Sequence, residues 1–208
     1  MGSKEKYTRE GLDRFTNFVK LVKKARKFAT DAHKGVYRNG LDLNGHKLEY
    51  ITHPISVAKI LHKYKSSNTI EILVAVCLLH DTVEDVDWVT IDVIRDEFGD
   101  LIASLVDELT SDPKGLEKYG KEEYLKIKMS SMSSWGLCIK LADRLHNLSD
   151  VDMKIKGCES SDIRWVVKYC NQTNNIIKHL EDSRTLSDTH IRLIDSIKEA
   201  TSPAKLLL

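Results

Sequence analysis

The sequence has no surplus of either charge. Its 32 Lys and Arg stand against 31 Asp and Glu, a formal net charge of +1. That balance leaves no electrostatic footprint for duplex nucleic acid or an anionic membrane, though it leaves room for a local basic pocket around a small phosphate ligand. No apolar stretch approaches the ~20 residues of a membrane span. The start, MGSKEKYTREG, is charged and lacks an apolar segment, so a secretory signal is not expected. Lys6 stands where the myristoylation pattern wants Ser or Thr. The four cysteines, Cys77, Cys138, Cys158 and Cys170, form no C-x-x-C pair. A disulfide framework and a zinc cluster are therefore not expected, and a reduced, cytoplasmic protein is. Proline occurs only three times, and there is no internal repeat, low-complexity segment or useful run of period-2 alternation.

What is present reads as helix after helix. The 208 residues suit one domain over 1–208, long enough to bury a sizeable core. Residues 11–33 repeat apolar side chains at helical spacing (Leu12, Phe15, Phe18, Val19, Val22), with the Lys20–Lys27 charges on the solvated face. Gly35, Asn39, Gly40, Asn44 and Gly45 mark residues 34–52 as one loop. Pro54 suits the first turn of a helix over 54–65. Residues 69–83 predict a helix buried nearly all round. Thr90 caps a helix over 91–98, Gly99 stops it, and 100–110 continues helical. Residues 111–120, with Pro113, Gly115 and Gly120, read as a polar loop. Helices follow at 121–132, 136–150, 161–182 and 187–200. The fold expected is all-α.

One run carries chemistry: His80-Asp81-Thr82-Val83-Glu84-Asp85, at the end of the apolar segment LVAVCLLHDTVED. Glu84 lies one helical turn beyond His80, and Asp85 one turn beyond Asp81. Burying four such side chains unpaired costs several kcal/mol, a cost that a bound cation would offset. His80 and Asp81 are half a coordination shell. Candidates for the rest are His53, at the junction Tyr50-Ile51-Thr52-His53-Pro54, and Asp143, which interrupts Ile139-Lys140-Leu141-Ala142-Asp143-Arg144-Leu145-His146-Asn147. Asn147 lies one turn after Asp143, on the same face. Two imidazoles and two carboxylates suit Mn²⁺, Fe²⁺ or Zn²⁺. Taken singly, His53 is an ordinary helix-start residue and Asp143 an ordinary partner for Lys140. Glu84 and Asp85 alone would read as a helix-end salt-bridge pair. The joint pattern favours a metal centre. His46, His62, His179 and His190 have no convergent partners and read as surface residues. Trp88, Trp135 and Trp165 read as packing.

The ordered set A-H-x-G (32–35), Arg38, Y-I-x-H-P (50–54), L-L-H-D-x-x-E-D (78–85), F-G (98–99), L-V-D-x-x-T (105–110) and K-L-A-D-R-L-H-N (140–147) resembles the HD-superfamily hydrolase domain of the RelA/SpoT homologues. The resemblance runs from about residue 25 to 180 and comes closest to the stand-alone small alarmone hydrolases, which include the metazoan SpoT homologue. The bifunctional members carry a synthetase domain afterwards, for which a chain stopping at Leu208 leaves no room. The resemblance implies a single HD-domain helical bundle with the metal site at its centre. It implies that His53, His80, Asp81 and Asp143 bind the metal, usually Mn²⁺, and that Glu84 and Asp85 position and deprotonate the attacking water. Arg38 matches an arginine that packs on guanine, and Asn147 an asparagine that contacts the nucleoside. Lys118 and Arg164 fall near basic positions that hold phosphates. The implied reaction is hydrolysis of the 3′-diphosphate of guanosine tetraphosphate or pentaphosphate, giving pyrophosphate and GDP or GTP.

The sequence departs from the family pattern between Arg38 and Tyr50, where eleven residues exceed the usual number, and at Glu49, Val36 and Ser149, the last replacing a frequent Arg. None of these changes touches the metal set. Two alternatives stand beside alarmone hydrolysis. One is an HD phosphohydrolase of another nucleotide: a nucleoside mono- or triphosphate, a cyclic nucleotide, or the 2′-phosphate of NADPH. The other is a non-catalytic alarmone-binding module. The partner expected is a small nucleotide, with no nucleic acid and no membrane. The sequence does not bear on oligomeric state.

Overall fold

The computed structural model describes residues 9–41, 44–66, 69–155 and 160–202. The expectations for residues 1–8 and for Cys158 lie outside them. In chain order the elements are α1 (Arg9–Ala32), β1 (Tyr37–Leu41), β2 (Lys47–Glu49), α2 (Thr52–Tyr64), α3 (Ile70–Leu79), α4 (Thr82–Asp85), α5 (Ile91–Phe98), α6 (Asp100–Leu109), α7 (Pro113–Tyr119), α8 (Lys121–Ser131), α9 (Ser134–Ile155), α10 (Ser160–Ser183) and α11 (Asp188–Ala200). Among the described residues no helix is long and apolar enough to cross a membrane.

Helix α3 is the hub. Its sequence, IEILVAVCLL, buries Leu73 and Ala75 to Leu79. A helix apolar all round must be covered all round, and α1, α2, α6 and α9 do so. Against α3, α1 sets Ala25, Ala29 and Ala32, whose small side chains let the backbones approach. Of the expected apolar stripe at the start of α1, Phe15 is 64% exposed, while Phe18, Val19 and Val22 are partly buried and Val22 packs on the core. The charged face from Lys20 to Lys27 is solvated as expected.

Two segments correct the sequence reading. Residues 34–52 are not one loop, because β1 and β2 pair antiparallel with Tyr37 opposite Glu49 and Leu41 opposite Lys47. The Tyr50 N–H donates to the Val36 carbonyl at 3.0 Å, closing the base of the hairpin. Residues 113–119 are helical rather than a polar loop. The Asp112 side chain accepts from the N–H groups of Lys114 and Gly115, with Pro113 at the first turn. Cap and proline together start a helix that the two glycines had masked.

His190 is also corrected. It is buried, not on the surface. Its Nδ1 accepts from the Ser187 N–H, so Nε2 donates to the Ser134 carbonyl at 2.9 Å and pins α11 to the start of α9. Burial lowers its pKa, as does the charge of Arg184 and Lys65, against the Ser134 bond, which acts to raise it. Thr90, by contrast, caps α5 as read, accepting from the Val93 N–H at 3.3 Å.

Glu108 on α6 holds the start of α9. Its carboxylate accepts from the Ser133 N–H and, at 2.7 Å, from the Ser133 hydroxyl. Gly136 lets that carboxylate in, since a Cβ there would run into it. Gly136→Ala is expected to expel Glu108 and lose the cap. The cost is about 1 kcal/mol, read as a fall of about 2–4 °C in Tm by calorimetry.

Candidate metal centre

Three helices packed on one another bring the site together. His53 lies in the first turn of α2, His80 and Asp81 follow the last turn of α3, and Asp143 lies in α9. His53, His80 and Asp81 each offer a ligand atom, all within 4.8 Å of one another. The His53 Nε2 stands 3.4 Å from Asp81 Oδ2 and 3.2 Å from Asp143 Oδ1. The His80 Nε2 stands 3.1 Å from Asp81 Oδ1 and 3.9 Å from Asp143 Oδ1.

Backbone and neighbouring side chains orient these rings. His80 Nδ1 donates to the Cys77 carbonyl at 2.7 Å. That leaves Nε2 as the free nitrogen. It is buried and, among the described residues, has no partner at a hydrogen-bonding angle. A buried nitrogen aimed between two carboxylates, with its tautomer fixed from behind, is what a metal-ligating histidine looks like before the ion is added. His53 meets His146 nitrogen to nitrogen, Nδ1 to Nδ1, at 2.8 Å. His146 therefore supports the site rather than lying apart from it. The donor set fits a divalent cation.

The charges are tightly bound to one another. Burial alone would depress His80, but Asp81 and Asp143 overcome it and raise the imidazole to about 9. His53 moves up for the same reason, burial again opposing and Asp143 and Asp81 prevailing. For Asp143, burial is overcome by the Lys140 ammonium and the two imidazoles, and the carboxyl sits well below its ordinary range. Lys140 Nζ lies 3.3 Å from Asp143 Oδ2. Without the ion, then, His80 holds a proton up to about pH 9, and a metal must displace it to reach Nε2. Manganese binding is expected to release roughly one to two protons at neutral pH, and affinity to rise with pH until it levels off near pH 9. Calorimetry in buffers of different ionisation enthalpy measures both. Proton-free, pH-independent binding would mean that the imidazoles are not ligands.

The other expected residues divide. Glu84 and Asp85 share the short α4 at the rim, both exposed. Glu84 Oε1 accepts from the Ser111 N–H at 2.6 Å. Asp85 Oδ2 lies 3.5 Å from His33 Nε2. Asn147 donates to Asp143 Oδ1 at 2.7 Å and accepts from Arg38 at 3.1 Å. Arg38 and Asn147 are thus joined to the metal set from the hairpin side. Lys118 and Arg164 are not brought to it. Lys118 is exposed over the Tyr119 ring. Arg164 lines a groove with Glu122, Lys168 and Asn171 that contains none of the site residues.

Two basic residues and a tyrosine went unassigned in the sequence. Lys121 feels the charges of Asp143 and Glu84 as well as Arg144 and Lys140, and burial followed by those two cations lowers its pKa. Lys140 was visible only as a partner for Asp143. No sequence signal marks Lys121, because only the packing of α8 brings it near. Tyr50 donates to Asp81 Oδ2 at 2.7 Å. It belongs to a quoted motif, so its place was legible and its contact was not. Arg144 is buried, donates to Thr173 at 2.7 Å and lies over the Tyr169 ring.

The HD domain family matches residues 25–168. The guanosine-3′,5′-bis(diphosphate) 3′-pyrophosphohydrolase MESH1 of Xenopus tropicalis is 31% identical over 168 residues, 80% of this chain and 88% of that protein. The Homo sapiens protein of the same name is 43% identical over 104 residues, 50% of this chain and 56% of that one. Among solved structures, one described as a metazoan ortholog of SpoT that hydrolyzes ppGpp superposes with TM-score 0.66 at 24% identity, covering 86% of this chain and 94% of that one. At that identity the likeness speaks to fold. A second, lmo0812 of Listeria monocytogenes, gives 0.58 at 25% identity over 74% of this chain and 98% of that one.

Proposed function

The chain belongs to the HD domain family, in its RelA/SpoT-homologue hydrolase branch, and from that premise we propose that it hydrolyses the 3′-diphosphate of guanosine tetraphosphate or pentaphosphate. Water adds to the phosphorus next to the 3′-oxygen, that P–O bond breaks, and pyrophosphate and GDP or GTP leave. The observation that carries the reading is the free, buried Nε2 of His80 facing two carboxylates beside His53, with Glu84 and Asp85 one turn away at the rim.

His53, His80, Asp81 and Asp143 would hold the cation, which we take to be Mn²⁺. Bound there, it acidifies water and polarises a phosphoryl oxygen. The chain supplies the rest. Glu84 and Asp85 orient the water and take its proton. Arg38 and Asn147, already bonded to each other, face the nucleoside. Lys140, beside Asp143, and Lys121, which feels the charges of Asp143 and Glu84, offset phosphate charge. We read residues 1–208 as one domain acting in the cytoplasm on a small nucleotide and not on nucleic acid. The balanced charge and the reduced Cys77, Cys138 and Cys170 support this. One observation favours a different nucleotide as substrate: Ser149 replaces a frequent family Arg and spends its hydroxyl on the His146 carbonyl.

The test is a panel on metal-stripped protein with and without Mn²⁺: guanosine tetraphosphate, GTP, dGTP, a cyclic nucleotide and NADPH, products separated by chromatography. Mn²⁺-dependent release of pyrophosphate and GDP from the tetraphosphate alone is expected. Turnover of another substrate instead would keep the metal centre and remove the guanosine assignment. No turnover of any would bring forward an alarmone-binding module.

A further inference from the structure

His33 closes α1 and is 3% exposed. Its Nδ1 stands 3.0 Å from the Ala29 carbonyl, an acceptor, so Nδ1 carries the hydrogen. Its other nitrogen, Nε2, is buried and has no hydrogen-bond partner among the described residues. The group it faces is Asp85 Oδ2, at 3.5 Å. The ring stacks on Tyr50 at 4.5 Å and 22°. Tyr50 in turn donates to Asp81. Two neighbouring carboxylates, one in the metal set and one at the rim, are thus gripped by one stacked pair of rings. An orphaned buried nitrogen is destabilising unless something uses it. Nothing in the α1 cap needs Nε2, because Nδ1 already serves Ala29. With Nδ1 donating to Ala29, a further hydrogen between Nε2 and Oδ2, carried on either atom, is what would make their approach attractive.

From this we infer that His33 is a positioning residue: its Nε2 fixes the rotamer of Asp85, and the Tyr50 ring fixes His33. The inference rests on the reading above, in which Asp85 handles the attacking water. It extends that reading to a residue outside the metal set and outside contact with substrate. Asp85 is the more exposed partner, its side chain 37% accessible, and lies on a four-residue helix. A carboxylate so placed has several rotamers open to it, and a buried, ring-stacked neighbour selects one. Loose orientation of a proton acceptor costs rate, not binding.

The two amides separate this from a helix-cap role. In Asn the amide reaches the Nδ1 position, and in Gln the Nε2 position. His33→Asn keeps a donor for Ala29 and loses the group that faces Asp85, and His33→Gln does the reverse. The experiment reads kcat, KM, manganese content and Tm for both, for Asp85→Asn, and for His33→Asn combined with Asp85→Asn, on whichever member of the nucleotide panel the wild type turns over. The expected result is a fall in kcat of about 10-fold for His33→Asn with KM and manganese unchanged, and a rate within about 3-fold of wild type for His33→Gln. In the Asp85→Asn background, His33→Asn should cost nothing further. Should His33→Asn fail to fold, His33→Gln decides: retained rate supports positioning, and lost rate in a folded protein overturns it. A Gln variant slower than the Asn variant, or additive losses in the double variant, would also overturn it. A wild-type rate in Asp85→Asn would instead remove Asp85 from the chemistry and with it the reading on which this rests.

Discussion

Asp81→Ala is expected to abolish manganese-dependent turnover, by about 10³-fold or more, and to strip the protein of its ion. Asp81 touches both imidazoles and the Tyr50 hydroxyl. Its Oδ1 lies 3.1 Å from His80, its Oδ2 lies 3.4 Å from His53, and Oδ2 also accepts from Tyr50. Removing the carboxylate takes away a ligand and the counter-charge that helps hold His80 up at about 9. The part-buried Tyr50 hydroxyl also loses its Asp81 acceptor.

Asp81→Asn separates these effects. It keeps an acceptor for Tyr50 and the shape of the site, and it loses the charge. It should fold like the wild type and still fail to retain manganese. Metal analysis after gel filtration, beside a thermal melt and a rate measurement, reads all three. Full turnover in Asp81→Ala would end the assignment of the centre. Normal metal content with no turnover would move Asp81 from ligand to proton handling.

How far such reasoning could start from the sequence differs by element. Helix α5 was legible to the residue because its signals are local: the Thr90 cap and the Gly99 stop act within one turn. The grouping of His53, His80, Asp81 and Asp143 was legible because each breaks an apolar or junction segment where a polar group needs a reason. The hairpin was not, since strands of five and three residues, the first interrupted by Asn39 and Gly40, carry too little alternation to register, and its closure depends on Tyr50 reaching back to Val36. Helix α7 was misread because Gly115 and Gly120 outweighed the Asp112-Pro113 start. Gly115 is there for a tertiary reason, since a Cβ would strike the Tyr124 ring. His190 and Lys121 show the same limit. Each owes its setting to another helix, Ser134 of α9 for one and the Asp143 cluster for the other. Lys118 is one residue from α7's end and faces its own Tyr119. Loop length alone could not tell it from Lys121.

Glu84→Gln separates proton handling from metal binding. The variant is expected to keep manganese and KM and to lose kcat by ~10²-fold or more. Glu84 stands outside the ligand atoms gathered around His53, His80 and Asp81. It is exposed, and one oxygen is taken by the Ser111 N–H at 2.6 Å. An amide preserves that bond, because the Gln oxygen still accepts from Ser111, so the 110–112 turn should stay in place and the melt should not move. What the amide cannot do is take a proton from water. It also removes a negative charge that Lys140 and Lys121 both feel. Those cations would then face the phosphates less neutralised, which acts on ground-state binding and tends to lower KM. A rate loss with KM equal to or below wild type is therefore the signature of a lost proton acceptor. A raised KM with kcat preserved would mean that Glu84 only orders the Ser111 turn. Loss of manganese would place Glu84 in the coordination shell, with Asp85 left as the sole carboxylate to handle the water.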